Sequence, residues 1–222
     1  MGAWNLFRLK SNQMQILLVR HGETQWNAGA IFRGRADIPL NETGLQQAAF
    51  LAGYLSNYKI EAIYSSPLQR ARKTAEIIAS RHSLGVRLEP GLLDLDFGEW
   101  EGKLLQQVQE EYGELFVQWS TAPEKMIFPA GEGLEEVKQR AVRVVNEVIA
   151  RHQRTMVLLS HRVVLKVLIC HLLGLDNSHF WNIRLDTCGM TTFDYEDGRF
   201  ILTGHNNTSF LEPLKKEKMR DF

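Results

Sequence analysis

Cysteine is the scarcest residue of this 222-residue chain, with two copies. Cys170 and Cys188 show neither metal nor redox spacing, and neither sits in a motif that suggests a nucleophile, so both read as buried thiols. Excess charge is missing as well. Lysine plus arginine (26) balance aspartate plus glutamate (26), which leaves no global field for nucleic acid or a membrane surface. An anionic ligand must therefore be held by a local cluster. No apolar run reaches the ~20 residues of a membrane helix, and the chain has no internal repeat, low-complexity linker or metal-ligand spacing. Met1 to Gln13 holds Trp4, Leu6 and Phe7, but Arg8 and Lys10 interrupt any secretory core. Gly2 follows the first methionine, yet Leu6 stands where a myristoylation motif needs serine or threonine. Residues 1–13 are expected to be a flexible extension ahead of a start at Met14, and the protein is expected to be cytoplasmic.

What remains is a regular alternation of apolar runs and helical periodicity. Ile16 to Val19 reads as a buried strand. After a glycine-containing loop from Trp26 to Pro39, Asn41-Glu42-Thr43-Gly44 announces a helix with Leu45, Ala48, Ala49, Ala52 and Leu55 at helical spacing. Ile60 to Tyr64 is a second strand. Ser66 is suited to cap the next helix, Leu68 to about Arg81, with Pro67 at its first position. Val86 to Leu88 is a short strand candidate. Two short helices, Leu104 to Glu111 and Leu115 to Ser120, form an excursion around residues 101–130. A long helix over Glu132 to His152, a strand at Thr155 to Leu159, a helix from Val163 to Leu173 and strands at Met190 to Tyr195 and Phe200 to Thr203 follow. This order predicts one domain over 14–212 and an α/β fold, with a mostly parallel sheet between helical layers. A charged tail occupies 213–222. A homodimer through an exposed edge, or through the strands near residues 190 to 203, is compatible with this pattern.

Three strand ends carry the chemistry. The first strand stops at Arg20-His21-Gly22, the second leads into Ser65-Ser66-Pro67-Leu68-Gln69-Arg70, and the strand after the long helix stops at Ser160-His161. In a parallel sheet these endings share one edge, where open α/β sheets bind ligands. Gly22 permits a sharp turn or a close approach. Two arginines match the oxygens of a phosphate dianion and stabilise charge on a transferring phosphoryl group, and a neutral imidazole among them can attack phosphorus. Arg70 also lies near a helix start, which favours an anion. Arg72 points elsewhere and reads as a surface residue. An acid for the leaving alcohol must come from Asp94, Asp96, Glu99 or Glu101, and spacing does not choose among them.

Taken together, LLVRHGETQWN (17–27), FRGRADIPLNETG (32–44), YSSPLQRARKTA (64–75), LLDLDFGEWEG (92–102), PAGEG (129–133) and LLSH (158–161) resemble the histidine phosphatase superfamily, the phosphoglycerate mutase-like proteins. The resemblance runs from about Gln15 to Leu211 and implies a three-layer α/β/α sandwich and a reaction without metal or other cofactor. It makes His21 the nucleophile and assigns Arg20, Arg70 and His161 to the phosphoryl group. Asn27 and the backbone near Gly34 become secondary phosphate contacts. Asp94 stands where the family usually has a glutamate acting as acid and base. Arg162 stands where many members have glycine, and Arg33 where glutamine or threonine is common. Both arginines are candidates to favour a second carboxylate or phosphate on the substrate, and both also fit surface roles. The compact middle and the FGEWEG segment resemble phosphomonoesterases acting on a small phosphorylated metabolite more than mutases. Phe97 and Asn206 do not supply the histidines expected for phosphoserine recognition. The alternatives are phosphoglycerate mutase activity and a catalytically weak phospho-ligand binding protein.

Overall fold

A computed structural model of the chain describes residues 14–214. The extension expected over 1–13 and the tail from residue 215 onward lie outside the described residues. In chain order the elements are β1 (Met14–Arg20), α1 (Gln25–Ala28), α2 (Glu42–Leu55), β2 (Ile60–Ser65), α3 (Gln69–Ala79), β3 (Val86–Leu88), α4 (Leu105–Glu111), α5 (Gly113–Thr121), α6 (Leu134–Arg151), β4 (Thr155–Ser160), α7 (Arg162–Leu172), β5 (Met190–Glu196) and β6 (Arg199–Asn207).

The six strands form one sheet in the order β3-β2-β4-β1-β5-β6. β1, β2, β3 and β4 are mutually parallel. β5 runs antiparallel to β1 and pairs antiparallel with β6. That last pair is a hairpin whose Asp197-Gly198 turn has φ of 49° and 78°, the left-handed pair that matches strand twist. Side-chain alternation along the strands divides the core. Ile16, Leu18, Met156 and Leu158 face α6 and α7, where Val137, Ala141, Val145, Val164 and Leu168 close the layer. Leu17, Val19, Val157 and Leu159 face α2 and α3 and meet Leu51, Leu55, Ala75 and Ile78. The result is the α/β/α sandwich with a mostly parallel sheet that the sequence pattern predicts.

Two local expectations are corrected. In α2 the buried stripe is Gly44, Gln47, Ala48, Leu51, Ala52 and Leu55, while Leu45 and Ala49 face outward. The stripe is set by Gly44, whose backbone abuts the chain after β1: a Cβ there would lie 2.1 Å from the Glu23 carbonyl oxygen. In the same contact, a Cβ on Gly22 would lie 2.6 Å from the Gly44 carbonyl oxygen. Gly22 is thus required by close packing on a helix and not by a left-handed turn. The second correction concerns α3. Ser66 does not cap it, and Pro67 precedes it. Leu68 takes the cap position with no side-chain bond, and Asp37, from the loop before α2, accepts the Gln69 amide at 2.7 Å instead.

Candidate active site

The carboxyl ends of β1, β2 and β4 deliver His21, Ser66 and His161 to one edge, because these three strands are adjacent and parallel. Backbone bonds carry the sheet one residue past β1: the His21 amide donates to the Ser160 carbonyl (3.1 Å), and the His21 carbonyl accepts from Cys188 (3.2 Å). The Gly22 amide is held by Thr74 Oγ1 at 3.1 Å. The histidine backbone is therefore fixed on three sides.

Its ring is fixed too. His21 Nδ1 lies 2.6 Å from the Gly22 carbonyl oxygen, which can only accept. Nδ1 carries the hydrogen, and the lone pair sits on Nε2. Burial, followed by the cations of Arg70 and Arg20, pushes this imidazole well below its usual range. At neutral pH it is an uncharged ring with a nucleophilic nitrogen. The His161 ring lies 5.2 Å from it, centroid to centroid. Arg70 Nε donates to His161 Nδ1 at 3.2 Å, so His161 Nε2 carries the hydrogen and donates to Ser66 Oγ at 2.8 Å. Burial, then Arg70 and His21, also lower the His161 pKa well below the usual value.

Arg70 is fully buried and nearly saturated. Its remaining nitrogens donate to the carbonyls of Ala36 and Gly34, each at 2.7 Å, and to Asp94 Oδ2 at 3.2 Å. Asp94 Oδ2 is 3.6 Å from His161 Nδ1, and Asp94 Oδ1 accepts the Leu95 amide at 3.0 Å. Of the four carboxylates left open by spacing, Asp94 alone joins this cluster. Asp96 pairs with Arg35 (3.1 Å), Glu99 accepts from the Tyr112 hydroxyl (3.0 Å), and Glu101 accepts the Arg35 amide (2.7 Å). Arg72 pairs with Glu76 on the exposed face of α3, at 3.5 Å.

Beside the buried cluster lies a cavity of about 530 Å³ whose wall includes Arg20, Asn27, Arg33 and Arg162. Burial, then the neighbouring Arg162 and Arg33, lowers the Arg20 pKa to about 9, which leaves it charged at neutral pH. Arg33 is lowered to about 10, chiefly by burial. Asn27 Oδ1 is committed to its own helix start, accepting the Thr24 amide and hydroxyl at 3.0 and 2.8 Å. Gly34 does not line the cavity; its carbonyl serves Arg70. The expected residues thus fall into two groups, His21, Arg70, Asp94 and His161 in the buried cluster and Asn27, Arg33 and Arg162 around the cavity, with Arg20 between them.

Sequence reading missed several supports. Arg140 on α6 donates to the Asp94 carbonyl (3.0 Å) and to Glu132 (2.7 Å), pinning the segment that carries Asp94. In the sequence it is one charge flanking an apolar helical stripe, with no signal to set it apart. Ser66, placed in the sequence as if to cap a helix, holds His161 instead. Trp119 and Trp181 give the cavity an aromatic wall from two distant segments.

Comparison with known proteins gives a consistent family signal. The model of the histidine phosphatase superfamily (branch 1) matches residues 16–208. Phosphoserine phosphatase 1 of Hydrogenobacter thermophilus is 37% identical over 199 residues, spanning 89% of this chain and 94% of the relative. The adenosylcobalamin/alpha-ribazole phosphatase of Escherichia coli is 32% identical over 174 residues, or 78% of this chain and 86% of the relative. Among solved structures, the Bacillus stearothermophilus protein YhfR superposes with a TM-score of 0.86 at 30% identity, covering 90% of this chain and 100% of YhfR.

Proposed function

The chain belongs to branch 1 of the histidine phosphatase superfamily, and from that premise we propose that it is a phosphomonoesterase that releases phosphate from a small metabolite through a phosphohistidine on His21. The observation that carries this reading is the tautomer of His21: its Nδ1–H is tied to the Gly22 carbonyl, which leaves the Nε2 lone pair among Arg20, Arg70 and His161. In the first step His21 Nε2 bonds to phosphorus, the ester P–O bond breaks, and Asp94 gives its proton to the leaving oxygen. In the second, water attacks phosphorus, gives a proton to Asp94, and the N–P bond breaks. Arg20, Arg70 and the His161 ring stabilise the charge on the transferring group, and Arg140 holds Asp94 in place. Every role is filled by a side chain of the chain itself.

In the same reading the protein works in the cytoplasm. Its two cysteines are free and buried, which suits a reducing compartment, and among the described residues no helix is long and apolar enough to cross a membrane.

The test is a phosphate-release screen with 3-phosphoglycerate, phosphoserine, sugar phosphates and α-ribazole phosphate, run with and without a metal chelator. Rapid-quench mass spectrometry should find one phosphoryl group on His21, and chelation should leave the rate unchanged. Transfer between the positions of phosphoglycerate that outpaces release would make the protein a mutase. Absence of both release and phosphoenzyme would leave a binding protein.

A further inference from the structure

The cavity is far larger than a phosphoryl group needs and has the size of a pocket for an organic ligand, at about 530 Å³. Its walls divide by chemistry. Phe32, Phe116, Trp119 and Trp181 contribute aromatic faces. The indole N–H of Trp181 donates to the Trp119 carbonyl at 2.8 Å, and the two indoles meet edge to face at 5.2 Å, so this wall is held rigidly. Opposed chemistry comes from three arginines, Arg20, Arg33 and Arg162.

Those arginines are under-partnered. The Nε–H groups of all three are buried with no hydrogen-bond partner. Arg20 uses one nitrogen on the Leu185 carbonyl (2.7 Å), and Arg33 uses one on the carbonyls of Trp26 and Ile31 (3.3 and 3.4 Å). The Arg162 side chain, on the first residue of α7, makes neither a hydrogen bond nor an ion pair among the described residues. The carboxylate of the cavity wall, Asp186, bonds Asn206 (2.9 Å) and Arg184 (3.3 Å) and forms no ion pair with these three arginines. Asp94 is taken by Arg70. If Arg20 and Arg70 serve the phosphoryl dianion, Arg33 and Arg162 are left as two half-buried cations with no ion-pair partner, and Asp94, already paired with Arg70, acts on them only at a distance. Buried N–H donors and charges call for partners, and planar guanidiniums match a carboxylate or phosphate.

We propose that this cavity selects phosphate monoesters whose leaving group joins a flat, apolar ring to a second anionic group, with the ring against Trp119 and Trp181 and the anion on Arg162 and Arg33. This substrate class rests on the phosphomonoesterase reading for its turnover but not for its binding.

Binding can therefore be tested separately from catalysis. Three non-hydrolysable phosphonates are compared by isothermal titration calorimetry on the full chain: 4-(carboxymethyl)benzylphosphonate, its carboxamide, and the open-chain 6-phosphonohexanoate. The aromatic carboxylate should bind about tenfold or more tightly than either of the others. Arg162→Met should bring the carboxylate-to-carboxamide ratio close to unity, and Arg162→Lys should restore much of it. Arg33→Met serves as a second variant, and the comparison on the parent protein decides even if a variant fails to fold. Equal affinity for carboxylate and carboxamide, or for ring and open chain, overturns the proposal. Hydrolysis of p-nitrophenyl phosphate is measured on the same samples. Its absence alongside an intact binding preference would count against the phosphatase reading and for this ligand class.

Discussion

At the start of β4, His152 gives Nδ1–H to Glu61 Oε1 (2.8 Å) and receives the Tyr64 hydroxyl (2.8 Å) and Arg87 (3.2 Å) on Nε2. At the end of the same strand, His161 lies against Arg70 (3.2 Å), with Arg140 and Arg33 also lowering its proton affinity. One cluster sets its histidine against a carboxylate, Glu61. The other gathers arginines around two histidines, with Asp94 as the acid in contact. Glu61 is held below its usual pKa, first by its bond from His152 and then by the amides of Gln153 and Arg154 against the opposing effect of burial. Both histidines are bonded at each ring nitrogen, so hydrogen bonding does not separate them. What differs is the charge beside the ring: a carboxylate is the Nδ1 partner of His152, whereas an arginine is that of His161, with Asp94 farther off at 3.6 Å.

The sharpest way to break this comparison is to remove one histidine from each cluster. His21→Ala should cut turnover by ~10⁴-fold or more, whereas His152→Ala should leave turnover within about twofold and lower stability by about 1–2 kcal/mol, read by urea unfolding. Comparable losses of turnover in both variants would erase the functional distinction between the clusters. Next in size, Asp94→Asn should slow hydrolysis of an alkyl phosphate by ~10²–10⁴-fold. A parental rate would remove Asp94 from proton transfer, and Glu99 would be the next carboxylate to replace.

Stability against pH separates the clusters by their windows. His21 and His161 have folded pKa values below the unfolded 6.5, so the unfolded chain binds more protons as the pH drops under 6.5. Their contribution is whole above that pH and is lost towards the depressed values. Glu61 has its folded pKa below 4.5, so its contribution persists until the pH falls under 4.5. A double variant His21→Ala, His161→Ala should flatten the loss that begins below 6.5, and Glu61→Gln should flatten the later one. The same acid profile in all variants would refute the assignment.

The smallest expected effect concerns Lys166, buried on α7 over the rings of Phe180 and Trp181, each at 4.6 Å. Burial, then Arg162 and Arg20, lowers its pKa from 10.5 to about 8. Stability should therefore rise as pH climbs from 8 towards 10.5, and Lys166→Met should abolish that rise while adding about 1 kcal/mol at pH 7. An unchanged profile would mean that the ammonium is better solvated than its surroundings suggest.

How far the site could be read in advance depended on where each contact originates. His21, Arg70 and His161 were legible because each follows a strand end, and parallel strands bring such ends together. Asp94 needed the family resemblance, since four carboxylates lie within eight residues (Asp94 to Glu101) and only the folded contact with Arg70 distinguishes one. Arg140, Ser66 and Asp37 act on partners far away in the chain, and local patterning carries no trace of such pairings. The misassigned stripe in α2 has a different cause: a glycine contact with Glu23 outweighed the side-chain periodicity that favoured Leu45 and Ala49.

The loop from Arg33 to Asp37 holds Arg70 through the carbonyls of Gly34 and Ala36. A main-chain grip is indifferent to most changes of side chain. Replacing the side chain of Arg33 or Arg35 should therefore leave Arg70 its anchorage on these two carbonyls. Five consecutive residues thus combine a fixed task of the main chain, holding Arg70, with a side chain on the cavity wall that this task does not constrain.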